Sequence, residues 1–258
     1  MSNRHVEILI YVFESLDDRH DFSRAAPWKG DLGHFECRLD GAQLEARPRN
    51  HYPSIEKARE ALEPHLVAWE LWSELKDGVP IRFKARSARL VDTTSGAVAV
   101  EAETASAMAI ANDATVRLGH GFYPPPSPKA LATSPLVEEL LEWVRELRER
   151  RQRLLVIAYL FLSRLEFEHL SYPGRHKKDR VAGALNVSRR VLDRLGELTE
   201  KSDPAERRKV KGPPDQLSED ERQWILAVLP KLVQQVAAVA AGSRPPQLTI
   251  ADPDIPHL

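Results

Sequence analysis

Three groups of residues in this 258-residue chain have types and spacings that could do chemistry. The first is Lys178 to Leu195, KDRVAGALNVSRRVLDRL. Val181, Leu185, Val187, Leu192 and Leu195 take the inward positions of two short helices, and Ala182 is the small residue at their crossing. Asn186 stands at the tight turn, where it would adopt the left-handed geometry that Asn tolerates. Ser188 is placed to cap the second helix. In a DNA-binding helix-turn-helix, Arg189, Arg190 and Arg194 would reach base edges or phosphates. A purely structural helical hairpin has the same pattern. The second group is electrostatic. Residues 175–211 hold 12 basic and 6 acidic residues, with Arg175, Lys177, Lys178 and Arg207, Arg208, Lys209 in clusters. Such a patch would neutralise phosphate or meet an acidic protein. Carboxylates such as Glu197 and Glu200 interleave with it, as on a solvated face. The third group is Arg164-Leu165-Glu166-Phe167-Glu168-His169. An Arg and a His five positions apart approach one helix face and would polarise and attack an RNA phosphodiester without a metal. Ordinary residues near a helix end have the same spacing.

With that last motif, residues 133–242 resemble the HEPN family of bacterial all-α domains. That family includes toxin and anti-phage ribonucleases with an Arg-x(4–6)-His signature. The shared layout is a long helix pair, short helices and a last helix. The resemblance implies an all-α fold for this half, with Arg164 and His169 as a catalytic pair. Tyr172–Arg175, Leu185–Val187, Leu195–Leu198 and His51–Ala58 resemble segments of uncharacterised bacterial proteins, which imply no activity.

Other chemistries find no carrier. Gly119-His120-Gly121 lacks the surroundings of a phosphate loop and runs into proline. The nine histidines are dispersed, and one cysteine makes neither a disulfide nor a structural zinc site. Cys37 falls in a patterned strand, where a small buried thiol is expected. No Gly-x-Ser-x-Gly elbow is present. We therefore expect no cofactor and no metal. No stretch approaches the ~18 apolar residues of a membrane span. A cytoplasmic protein with no membrane partner is expected.

The elements that must position these groups fall into two halves. The prolines of Tyr123–Pro128 cannot sustain a helix or a central strand, so they form a stiff linker. The expected segments are a sheet-and-helix domain over 1–123, a linker over 124–133, a helical domain over 134–243 and an extended tail over 244–258. In the first half, Val6–Phe13 reads as a strand. His34–Leu39 and Ala42–Ala46 read as a hairpin around Asp40-Gly41, pairing Leu39 with Ala42, Cys37 with Leu44 and Phe35 with Ala46. Ser54 caps a helix with an apolar stripe through Leu62, Leu66 and Trp69. Pro64 predicts a kink or break near Glu60–Glu63, and Gly78 ends the helix. Strands follow near Pro80–Val91 and Val98–Ile110, with a further one near Thr115–Phe122. Arg82, Lys84, Arg86 and Arg89 should pair across to Glu101 and Glu103.

In the second half, Ser134-Pro135 opens a helix running to about Leu170, with an interruption near Arg150–Arg153. Leu154–Leu162 is apolar on every side, which predicts burial all round or a homodimer interface. Short helices follow near 177–186 and 188–199, then a polar loop over Ser202–Pro214. Ser218 and Glu221 form a capping box for a last helix.

The chain is 42% hydrophobic and 29% charged, with 37 basic and 38 acidic residues, which excludes a disordered or collagen-like protein. The fold class is α+β: an N-terminal antiparallel sheet with one packed helix, then a C-terminal all-α domain. The expected function is non-enzymatic binding, with a basic helical surface presented to nucleic acid or an acidic partner. The alternatives are a HEPN-like ribonuclease and a helix-turn-helix transcriptional regulator.

Overall fold

Alternating apolar residues in RHVEILIYVFES build β1 (Arg4–Ser15), whose Leu9, Tyr11 and Phe13 point into a core. A computed structural model of the chain describes residues 4–92, 97–102, 118–149, 153–168, 177–201 and 217–252. The protein is α+β, and it divides into two units, Met1–Ala130 and Leu131–Leu258.

In the first unit β1 is followed by β2 (His20–Asp21), β3 (Trp28–Leu32), β4 (Phe35–Asp40), β5 (Gln43–Pro48) and α1 (Ile55–Trp72). A π-helical turn (Ser73–Asp77), β6 (Ile81–Asp92), β7 (Val98–Ala102) and β8 (Leu118–Gly119) complete it. Six strands form one antiparallel sheet in the order β3-β4-β5-β1-β6-β7. β2 and β8 form a separate parallel pair. Alternation in β4 and β5 sends Phe35, Cys37, Leu39, Leu44 and Ala46 to the buried face. Against that face α1 lays Ala58, Leu62, Leu66 and Trp69. Burial pushes the Cys37 thiol up to about 12, so this cysteine is inert packing.

Three expectations are corrected here. The β4–β5 hairpin pairs Leu39 with Leu44, Cys37 with Ala46 and Phe35 with Pro48. Its two central residues are therefore Gly41 and Ala42, and only Gly41 has a positive φ, the type II′ pattern. The slip is two residues, so the same side chains stay on the buried face. Next, α1 runs unbroken through Pro64. Pro64 and Glu60 both lie on the solvent side, where the carbonyl left without a donor meets water. The helix changes pitch later, at the π turn, where the Ser73 hydroxyl donates to Val79 O at 2.6 Å and Gly78 closes at φ 71°. Finally, two of the basic residues of β6 pair with β1. Lys84 meets Glu14 and Arg89 meets Glu7, each at 2.6 Å, because β1 is the neighbour they face. Glu101 meets Arg59 of α1 at 3.8 Å. Glu103, the rest of the strand expected to Ile110 and the start of the one expected at Thr115 lie outside the described residues.

The second unit has five helices among the described residues: α2 (Pro135–Arg148), α3 (Leu154–Glu168), α4 (Lys177–Leu185), α5 (Arg189–Thr199) and α6 (Glu219–Ala240). Ser134 caps α2, accepting from Val137 N at 3.2 Å. α2 and α3 pack antiparallel, with Trp143 beside Phe161 (5.7 Å) and Glu139 beside Arg164 (2.7 Å). Burial of α3 is one-sided, which corrects the expectation of burial all round. Ile157, Ala158, Phe161 and Leu165 are inside, whereas Val156, Tyr159 and Leu160 are 45%, 58% and 38% exposed. The Ser218–Glu221 capping box forms as expected. α6 has the length and mean hydropathy (1.3) of a membrane span, but Trp224, Ile225, Val228, Leu229, Leu232 and Val233 are buried within the unit. Residues 150–152, the polar loop over 202–214 and the end of the tail beyond 252 lie outside the described residues.

Candidate functional site

The α4–α5 hairpin is closed by its turn residue. Asn186 has φ 51°, the one positive φ outside glycine among the described residues, and Val187 N–H donates back to Ala182 O at 2.9 Å. That is a Schellman closure, with Asn in the place usually given to Gly. Val181, Leu185, Val187, Leu192 and Leu195 are all buried, as their positions in the pattern require. Ser188 stands at the N-cap of α5, but its hydroxyl caps nothing. Its N–H instead donates to Leu248 O at 2.7 Å, so the C-terminal tail, not the Ser188 side chain, completes the turn.

The basic residues divide sharply. Arg189 bonds Asp179 of α4 and also Asp193 one turn along α5 (3.0 Å). These bonds, that from Asp179 first, hold its guanidinium charge above the usual range. Lys178 reaches the same Asp193 at 3.3 Å, over the bare Gly196 backbone, where an added Cβ would lie 2.6 Å from Nζ. Burial pushes Asp193 upward, but the bonds from Arg189 and Lys178 outweigh it and leave the carboxyl below its usual value. Arg194 meets Glu197 at 3.2 Å and the buried Glu221 of α6 at 2.8 Å. By contrast, Lys177, Arg180 and Arg190 are exposed, and none of them meets a carboxylate among the described residues. The outward positions of α5 thus carry both signs: Arg190 and Arg194 beside Asp193 and Glu197. The Asp179–Arg189 and Lys178–Asp193 pairs set the first turn of α4 beside the first half of α5.

Of the expected site residues, the hairpin gathers Lys177, Lys178, Arg189, Arg190 and Arg194. Arg175, Arg207, Arg208 and Lys209 lie outside the described residues, as does His169. Arg164 is taken by carboxylates: Nε donates to Glu139 and Nη1 to Glu168, both at 2.7 Å. Those bonds, with Glu139 first, hold it above the usual guanidinium range. Nε and Nη1 are thus engaged with carboxylates. The sequence reading missed Asp179 and Asp193 as the partners that occupy Arg189. The i,i+4 spacing of Arg189 and Asp193 was a visible signal. The ten-residue separation of Asp179 from Arg189 gave none.

The described residues hold no group of three or more His, Cys, Asp or Glu able to bind a metal. No protein-family model, curated protein or solved structure matches the chain.

Proposed function

We propose that the chain is a non-enzymatic interaction protein whose α4–α5 hairpin receives an acidic protein surface. The observation that carries this reading is the exposure of Lys177, Arg180 and Arg190 with no carboxylate partner among the described residues, beside neighbours that are already paired. Unpaired surface cations steer an anionic partner without first breaking an internal bridge. Asp193 and Glu197 among the arginines favour a protein of mixed charge over a uniformly anionic phosphate backbone. The second reading, a reader of duplex DNA, is favoured by the Schellman closure at Asn186, which gives the hairpin the turn of a helix-turn-helix.

The test compares a fluorescein-labelled acidic peptide of mixed charge, glutamates interspersed with a few lysines, with a labelled DNA duplex of random sequence, by anisotropy at low ionic strength. The peptide should bind more tightly, and Lys177→Glu with Arg190→Glu should weaken it at least about tenfold. Tighter binding of the duplex, lost in the same variant, would install the second reading. No binding of either probe would remove both.

A further inference from the structure

The small parallel pair β2–β8 of the first unit holds a second cluster of titratable groups. Among the described residues β2 and β8 are joined through two residue pairs, His20 with Leu118 and Asp21 with Gly119. At the end of this bridge two imidazoles meet, His20 Nδ1 lying 2.8 Å from His120 Nε2. A contact that short between ring nitrogens is a hydrogen bond, in which one nitrogen carries the proton and the other offers its lone pair. The bond persists with no added proton and also with one. A second proton sets N–H against N–H.

The surroundings sharpen that contrast. Phe22 stacks on His120 (4.6 Å, 13°) and Tyr123 stacks on Phe22 (5.8 Å, 11°), so rings rather than water cover one flank of the pair. The carboxylate nearest the pair is Asp17, 3.9 Å from His20 Nε2. Arg19 already grips it, with Nε at 2.7 and 2.9 Å from its two oxygens, so its charge is largely matched. That grip also keeps Asp17 below the usual carboxyl range, hence ionised throughout the pH range in which imidazole titrates. The Asp21 carboxylate accepts from Ser23 N–H at 2.9 Å.

We propose that His20 and His120 form a proton-operated clasp, holding the Leu118–Phe122 segment on Arg19–Ala26 when at least one imidazole is neutral and releasing it when both are charged. The segment is otherwise tied by backbone bonds: Leu118 N–H to Arg19 O at 2.5 Å, and His120 N–H to Asp21 O and Ala26 N–H to Gly121 O, both 2.8 Å. Burial lowers the proton affinity of His20 in the closed state. An opened His20 recovers the ordinary value near 6.5 and takes up a proton that the closed form refuses. The clasp is therefore fully closed above that value and loses stability as the pH falls below it.

The experiment is amide exchange on the full chain at about pH 7.5 and about pH 5, corrected for the chemical exchange rate, read at Leu118 and His120. Protection should fall at least about fivefold at the lower pH, the factor for like charges a few ångströms apart even at the dielectric of water. In a His20→Gln/His120→Gln variant, whose amides donate and accept but do not titrate, the fall should vanish. Constant protection in the wild type would overturn the clasp, and so would a variant that keeps the wild-type pH dependence. If that variant loses the segment's order at every pH, the wild-type imidazole proton titrations decide. Two independent curves at the ordinary value would overturn the proposal, and coupled curves with His20 displaced downward would support it.

Discussion

Asn186 and Leu248 are joined backbone to backbone, with Leu248 N–H donating to Asn186 O at 3.1 Å across a parallel bridge centred on Val187. The tail adds Pro245 O, which accepts from Asn186 Nδ2 at 2.8 Å, and Pro246 O, which accepts from Gln235 Nε2 at 3.0 Å. A hairpin turn whose carbonyls and amides would otherwise face water is thus completed by a strap some sixty positions away. Leu248 is only 2% exposed, so the strap is also anchored by apolar burial.

The strap should therefore matter to the whole helical unit. Leu248→Ala removes a buried side chain and is expected to cost about 2–4 kcal/mol. Urea unfolding followed by the fluorescence of Trp143 and Trp224 checks it, and a loss below about 1 kcal/mol would show that the tail is an ornament of the turn.

Asn186 separates two roles by substitution. Asn186→Gly keeps the positive φ and loses only the bond to Pro245 O, whereas Asn186→Ala loses both. The alanine variant should be the less stable of the two by about 1–2 kcal/mol, the left-handed penalty of an L side chain. Equal stabilities in the same urea titration would mean that the turn relaxes to a negative φ.

How much of this was visible in the chain follows from which forces are local. Val181 with Leu185 and Leu192 with Leu195 were legible because each pair lies at helical spacing within one helix, and the αL turn with Val187 after it was legible because Asn marks it. The β4–β5 face was legible from alternation. Its register was not, since the pattern repeats every two residues and a slip of two costs no burial. β3 was invisible for a different reason. Its inward residues are Trp28, Gly30 and Leu32, and Gly30 carries no side chain because the Trp28 ring lies where its Cβ would be, at 2.6 Å. At the candidate site the cations were legible by composition, but the Asp179–Arg189 pair and the strap join positions far apart in the chain, and no periodicity reports such a contact.

Glu221 is the group through which the helical unit should respond to acid. It closes the capping box on Ser218 N–H at 3.0 Å and also takes Lys201 at 3.0 Å and Arg194 at 2.8 Å, with a side chain 10% exposed. Burial pushes its carboxyl upward, but the Ser218, Lys201 and Arg194 contacts outweigh it, and the net effect is below the usual value. A carboxyl depressed in the folded state contributes stability above its unfolded value near 4.5, and that contribution is lost as the pH falls through the folded value. Glu221→Gln should cost about 2 kcal/mol at neutral pH and much less at about pH 3. A cost that does not change between those conditions would assign it to packing.

The carboxylates around Arg189 give the sharpest handle on function. Asp179→Asn with Asp193→Asn keeps the shapes of both side chains while removing the charges that now occupy Arg189 and Lys178. Both cations would then be released to the surface beside Arg190, and the mixed-charge face of α5 would become nearly uniform in sign. Affinity for duplex DNA should rise, and the slope of log affinity against log salt should steepen by about 2, close to one counterion for each freed cation. Affinity for the mixed-charge peptide should rise less, since its lysines lose the carboxylates they would meet. If neither affinity nor slope moves, Arg189 and Lys178 lie outside the surface that meets anions. Recognition would then have to be sought away from the α4–α5 pairings, because those two carboxylates are what occupy Arg189 and Lys178.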